Sequence, residues 1–263
     1  MARIKKNIAV QGKNYDAIVT GVTQSQMSSA SLTRTQSISE IILDMSESID
    51  PSKRAYQFIL HCDGTQKEIR RVEVKEKSPK FCQEKTNTVQ FDLLMSTNST
   101  LNLSDQIFTT KTNHILMQIK NVSSELEGDD RPPMCLVVTK QGLFAKFCDQ
   151  WNKIELDHAG RPRSNTRSEL QRLIHFSKKN KTKDNGYKHW ISISVTYKKL
   201  KNNKVKFIVK AKDKENNVEV DHTIENDGLR KCNLKFGIIH LPHDTNKLKA
   251  DVTVYYRNIR CRK

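Results

Sequence analysis

The chain has 263 residues, with 46 Lys plus Arg against 29 Asp plus Glu, for a formal charge of +17. That length suits one large all-β domain or two small ones, and the charge favours a polyanionic partner: nucleic acid, an acidic membrane surface or an acidic polysaccharide. No run approaches the roughly 18 apolar residues of a membrane-spanning helix, so a span of that kind is excluded.

The N-terminal stretch MARIKKNIAVQGKNYDAI is basic but has no apolar core of the secretory type. The expectation is a protein that stays in the cell that makes it or leaves packaged in a virus particle. Residues 1–54 read as an N-terminal extension, rich in Ser, Thr and Gln, with one patterned stretch at 37–45 that is a short helix or an edge strand.

From residue 55 to 263 the chain reads as one domain of short strands. The candidates are 56–62, 69–75, 88–95, 114–120, 134–139, 142–147, 189–198, 204–212, 217–223, 233–241 and 250–260. Clusters of Gly, Asn, Asp, Pro and Lys separate them, as turn chemistry requires. Apolar Val205, Phe207, Val209 and Ala211 alternate with Lys206, Lys210 and Lys212, and Val89, Phe91, Leu93 and Met95 alternate with Gln90 and Asp92. A side chain changes face at every step along a strand, so this alternation buries one face and wets the other. Many strands at short spacing predict an all-β fold, a β-sandwich jelly roll.

One helix is expected within it, over 164–176. Cap-type residues open that stretch, and Leu170, Leu173, Ile174 and Phe176 offer a helical stripe. A lysine-rich loop over 178–188 follows.

Cysteines stand at 62, 82, 135, 148, 232 and 261, with no C-x-x-C pair and no Cys/His cluster. Zinc is not expected, and without a secretory signal unpaired buried thiols are the default. Histidines in metal spacing, a serine nucleophile elbow and a phosphate-binding P-loop are all absent. No metal or other cofactor is expected.

Three pieces carry the functional signal: Arg71-Val72-Glu73-Val74-Lys75, Gln118-Ile119-Lys120 and Leu234-Lys235-Phe236-Gly237. In the first, Arg71, Glu73 and Lys75 share one face while Val72 and Val74 take the other. Gln118 and Lys120 share a face opposite Met117 and Ile119. Sheet faces of this kind suit an anionic ligand.

In order along the chain, these pieces resemble the jelly-roll polysaccharide lyases, the alginate- and glucuronan-cleaving families with a concanavalin-like sandwich. Those enzymes carry an R-S-E-L-R strand, then Q-I-H, then Y-F-K-A-G-x-Y near the C-terminus. The third motif falls here on Asn233-Leu234-Lys235-Phe236-Gly237-Ile238-Ile239. The strand His189-Trp190-Ile191-Ser192-Ile193 and the closing strand Asp251–Arg260 fit the same plan, and the resemblance covers roughly 55–263. Three positions depart from it. Lys120 stands at the family's histidine, although a related lyase family on this fold uses a lysine. Ile239 stands at its catalytic tyrosine, and Asn233 at the motif's first tyrosine. Arg167-Ser168-Glu169-Leu170-Gln171 matches R-S-E-L more literally but lies after Gln118, out of order.

The resemblance implies β-elimination from a uronate polymer. The substrate carboxylate must be neutralised before the neighbouring carbon gives up its proton. Arg71 and Gln118 would bind that carboxylate, and Lys120 would be the base or a second neutraliser. Tyr197, Tyr256 or a histidine would donate a proton to the leaving oxygen. Glu73, Lys75, Lys235 and Arg257 would bind or orient substrate. Two alternatives remain: a non-catalytic acidic-carbohydrate-binding or structural jelly-roll protein, or a basic nucleic-acid-binding or capsid-type β-protein. Aromatic residues are 6% of the chain, few for the base-stacking grooves that bind single strands, so nucleic acid is the weaker partner.

Overall fold

The computed structural model describes residues 7–10, 13–20, 36–42, 54–63, 70–76, 81–82, 84–98, 114–121, 132–139, 141–148, 168–177, 187, 189–225, 232–240 and 249–262. For residues 7–42, and for some others including Arg71, it describes the backbone alone.

These residues form fifteen strands: β1 (Asn7–Val10), β2 (Lys13–Thr20), β3 (Gln36–Ile42), β4 (Arg54–Asp63), β5 (Arg70–Glu76), β6 (Thr86–Asn98), β7 (His114–Asn121), β8 (Met134–Thr139), β9 (Gly142–Cys148), β10 (Ser168–His175), β11 (Ile191–Lys199), β12 (Lys204–Lys212), β13 (Asn217–Glu225), β14 (Cys232–His240) and β15 (Lys249–Arg262). The first sheet has eight strands in the order β1-β2-β5-β14-β7-β8-β9-β10, and the second has seven in the order β13-β12-β11-β6-β15-β4-β3. Both are antiparallel, as in β12 with β11 and β14 with β5. The residues read as an N-terminal extension supply three of these strands: β2 pairs with β5, and β3 is the edge strand beside β4.

The core lies between the sheets. Val72, Val74, Phe91, Leu93, Ile119, Phe207, Val209, Leu234 and Phe236 are all buried, in the phase that the alternation predicts. Rings interlock across the gap: Phe91 of the second sheet meets Phe236 of the first edge-on at 5.3 Å between centroids, and Phe207 meets Phe147 at 6.4 Å. Such pairs add about 0.5–1.5 kcal/mol each beyond the area they bury.

The expected helix over 164–176 is corrected. Residues 168–175 are strand β10, paired with β9, and no helix occurs among the described residues. The apparent helical spacing has a β cause. The β9–β10 register shifts between Arg172 and Ile174, and a bulge lets neighbours in sequence turn to the same side. Leu173 and Ile174 are therefore both buried, while Leu170 is 51% exposed and belongs to no apolar stripe. The lysine-rich stretch over 178–188 lies outside the described residues apart from Tyr187, which is buried and stacks on Phe176.

The expectation of unpaired cysteines is also corrected at one pair. Cys82 and Cys232 form a disulfide with Cα atoms 5.2 Å apart. They are separated by 150 residues and meet because β14 begins beside the segment that leads into β6. Closing so long a loop restricts the unfolded chain strongly. Reduction, or Cys232→Ser, is expected to lower the unfolding free energy by roughly 2–5 kcal/mol. Urea denaturation with and without dithiothreitol measures this, and coincident curves would show that the bridge adds nothing.

Candidate functional site

The first sheet turns one face to the core and the other away from it. Register places the predicted residues of β5, β7 and β14 in one phase, on the outer face. Opposite residues in an antiparallel pair share a side, and Lys235 lies opposite both Lys75 on β5 and Gln118 on β7. Gly237 lies opposite Glu73, Ile239 opposite Arg71, and Asn233 opposite Lys120.

Glu73 is the centre of this face. It is 1% exposed, and a buried carboxylate needs a cation and hydrogen-bond donors to remain charged. Lys235 Nζ lies 3.3 Å from its Oε1, and Gln118 Nε2 donates to its Oε2 at 3.2 Å. The structure thus brings Glu73, Gln118 and Lys235 together, but as an internal cluster. Gln118 is 5% and Lys235 6% exposed, and the space they share with Gly237 and Ile239 admits no water-sized body. Both side chains hold Glu73.

The half-buried lysines Lys75 and Lys120 sit at the flanks of the cluster. Two cations that the sequence reading missed extend the same face. Lys146 on β9 lies opposite Cys135, which lies opposite Gln118. Arg172 on β10 lies opposite Phe144, with its guanidinium 5.6 Å from that ring's centroid. Lys146 was legible as the single charge in Gly142-Leu143-Phe144-Ala145-Lys146-Phe147-Cys148. Arg172 was hidden by the helical reading. Between these cations the Cys135 thiol is buried, and burial pushes its pKa up to about 12, so it is no nucleophile near neutral pH.

The expected tyrosines lie elsewhere. Tyr197 and Tyr256 both project from the second sheet into the core and are fully buried. Tyr197 donates to the Cys82 carbonyl at 3.3 Å, and burial pushes its pKa up to about 12. The Tyr256 hydroxyl lies 2.5 Å from the Leu116 carbonyl oxygen and 2.9 Å from that of Gly237. Burial raises its pKa far above the ordinary phenol value. Those two carbonyls sit where the β7–β8 and β14–β7 registers shift, so one phenol serves backbone groups displaced from the ladder. Neither tyrosine reaches the outer face. Arg257 is also remote from it. Its Nε lies 3.1 Å from Asp92 Oδ2, and its guanidinium lies 4.0 Å from the ring centroid of Trp190, on the second sheet.

A role for Tyr256 in packing rather than proton transfer has a direct check. Tyr256→Phe is expected to destabilise the protein by about 1–3 kcal/mol, because a buried carbonyl loses its donor. Any turnover of substrate should be unchanged. A large loss of turnover at unaltered stability would return Tyr256 to the chemistry.

An alginate lyase of family PL-14 from Aplysia kurodai is similar in structure to this chain, with a TM-score of 0.51 at 12% identity over 86% of this chain and 87% of its own. The chain shares the jelly-roll fold of alginate lyases. A marine PL7 alginate lyase from Zobellia galactanivorans gives a TM-score of 0.46 at 14% identity over 87% of this chain and 94% of its own. The binding domain of botulinum neurotoxin serotype C1 gives 0.47 at 10% identity over 98% of this chain and 48% of its own. No protein-family model and no curated protein matches the sequence. Among the described residues no group of His, Cys, Asp and Glu is arranged to hold a metal ion, and no helix is long and apolar enough to cross a membrane.

Proposed function

We propose that the outer face of the first sheet binds an acidic polysaccharide and that the chain cleaves a uronate polymer there by β-elimination. The observation that carries this reading is the row of cations Lys75, Lys120, Lys146 and Arg172 on one sheet face, around the buried Glu73–Gln118–Lys235 cluster. Arg71 falls in the same phase of β5 as Glu73 and Lys75. A substrate carboxylate docked between Arg71 and Lys75 would be neutralised by charge-assisted hydrogen bonds, which lowers the barrier to removing the proton on the adjacent carbon. Lys120 takes that proton as the free amine, the C–H electron pair forms the new double bond, and the bond to the glycosidic oxygen breaks, that oxygen taking a proton from water. Glu73 fixes the strands and charges beneath it.

A second reading is binding without cleavage. The burial of Tyr197 and Tyr256 favours it, together with Ile239 where a proton donor would stand in the lyases. One experiment separates the two. The chain is incubated with polyglucuronate, alginate and heparin while the ultraviolet absorbance of an unsaturated uronate is followed. A rise with any of them supports elimination. Salt-sensitive binding without a rise supports the second reading, and neither binding nor product removes both.

A further inference from the structure

The outer face of the second sheet, opposite in the sandwich to the site above, carries a separate recess of about 420 Å³. That volume falls within the range of small-ligand sites, about 300–1,000 Å³. A bulge in β15 shapes it. The β15–β6 register shifts between Arg257 and Arg260, and Asn258 takes a left-handed backbone with φ 53°. Asp92 anchors this bulge. It accepts hydrogen bonds from Asn258 Nδ2 at 2.8 Å, Arg257 Nε at 3.1 Å and Ser192 Oγ at 2.7 Å. Its negative charge is thereby answered within the protein.

The charge left over is positive. Lys210 is paired with Glu219 at 2.7 Å. Lys212 and Arg260 also line the recess, and neither makes an ion pair among the described residues. They enter from β12 and β15, three strand spacings apart, or about 14 Å between backbones. Between them Gln90 and Ser194, and beyond Lys212 Asn217, present amide and hydroxyl groups that make no side-chain hydrogen bond among the described residues. Two separated cations flanking neutral donors and acceptors match a chain of hydroxylated units with repeated carboxylates or sulfates. Among the described residues of the lining the one aromatic, Phe91, is buried in the core, which disfavours stacking of single-stranded nucleic acid.

We infer that this recess is a second, non-catalytic binding site for an acidic oligosaccharide, gripped by Lys212 and Arg260. The inference rests on the same substrate class as the proposed function but on a different surface. Its consequence is that a long polymer is held on the face of the sandwich away from the row containing Lys120.

The test uses the full chain and titration calorimetry with oligomannuronate and oligoglucuronate, in an Arg71→Ala background so that no ligand is consumed. Lys212→Gln/Arg260→Gln is expected to weaken binding by about tenfold, as loss of two charge-assisted contacts implies. Lys198→Gln/Lys204→Gln removes equal charge from the same sheet outside the recess, and its affinity should stay within about twofold, as expected for exposed charges. Unchanged affinity in the first variant, or an equal loss in the second, overturns the site. So does binding of duplex RNA through Lys212 and Arg260 by a protein that ignores both oligosaccharides. Tenfold weakening, together with a wild type that never yields unsaturated product, would keep the recess and remove the lyase. Product formation with unchanged affinity would do the reverse.

Discussion

Arg71→Ala is expected to reduce elimination from a uronate polymer by on the order of a thousandfold, the scale on which removing one preorganised group at a developing anion acts. The reason is electrostatic. Taking a proton from the carbon beside a carboxylate builds a second negative charge next to the first, so a cation must already be in place. The nearby lysines do not replace the arginine, because its planar fork can bind a carboxylate through two parallel hydrogen bonds and an ammonium cannot. Lys120→Arg provides the complementary measurement. It preserves the charge, so polymer binding should be kept, but arginine does not release its proton near neutral pH and turnover should be lost. Initial rates of unsaturated-uronate formation and a separate binding isotherm give both quantities. Full turnover in Lys120→Arg would remove Lys120 as the base. Unchanged turnover in Arg71→Ala would remove the carboxylate site from this face.

What the sequence showed of this molecule, and what it hid, has physical causes. Strands such as β11 and β12 were visible because they bury one face only. Along β12 the buried residues Val205, Phe207, Val209 and Ala211 alternate with more exposed ones, and a period of two is hard to mistake. Strand β10 was misread because its bulge shifts the phase at Leu173 and Ile174, and a phase shift in a short strand mimics a helical period. The Cys82–Cys232 bridge was not legible at all, since 150 residues of chain separate two cysteines that only sheet order brings together. The candidate site was legible as a set of polar phases. Alternation places Glu73, Gln118 and Lys235 on one face, but it cannot say how deep they lie. Tyr256 shows the same limit from the other side. Alternation places Tyr255 and Tyr256 on opposite faces without saying which one is inward; packing against Phe58, Phe91 and Phe236 puts Tyr256 inside.

Gly237→Ala is expected to be strongly destabilising, at about 4 kcal/mol or more, in the range reserved for strained or overpacked sites. Gly237 has φ +144°, a conformation that side chains rarely adopt. A Cβ there would lie 2.1 Å from the Val72 carbonyl oxygen and 2.5 Å from the Glu73 Cα. Both are backbone atoms of the neighbouring strand, so no rotamer change relieves the contact and β5 must move. That movement pulls Glu73 away from Lys235 and Gln118, and it shifts the Gly237 carbonyl away from the Tyr256 hydroxyl. The substitution therefore strikes the buried cluster and the link between the sheets together. A double-mutant cycle makes this specific. If the displaced carbonyl already lacks its phenol partner in Gly237→Ala, then adding Tyr256→Phe should be less destabilising than it is in the wild type, and the two effects should fall short of their sum by about 0.5–3 kcal/mol. Urea denaturation of the four proteins supplies the cycle. Strict additivity would mean that Gly237 and Tyr256 act independently, and wild-type stability in Gly237→Ala would mean that β5 does not press on this glycine.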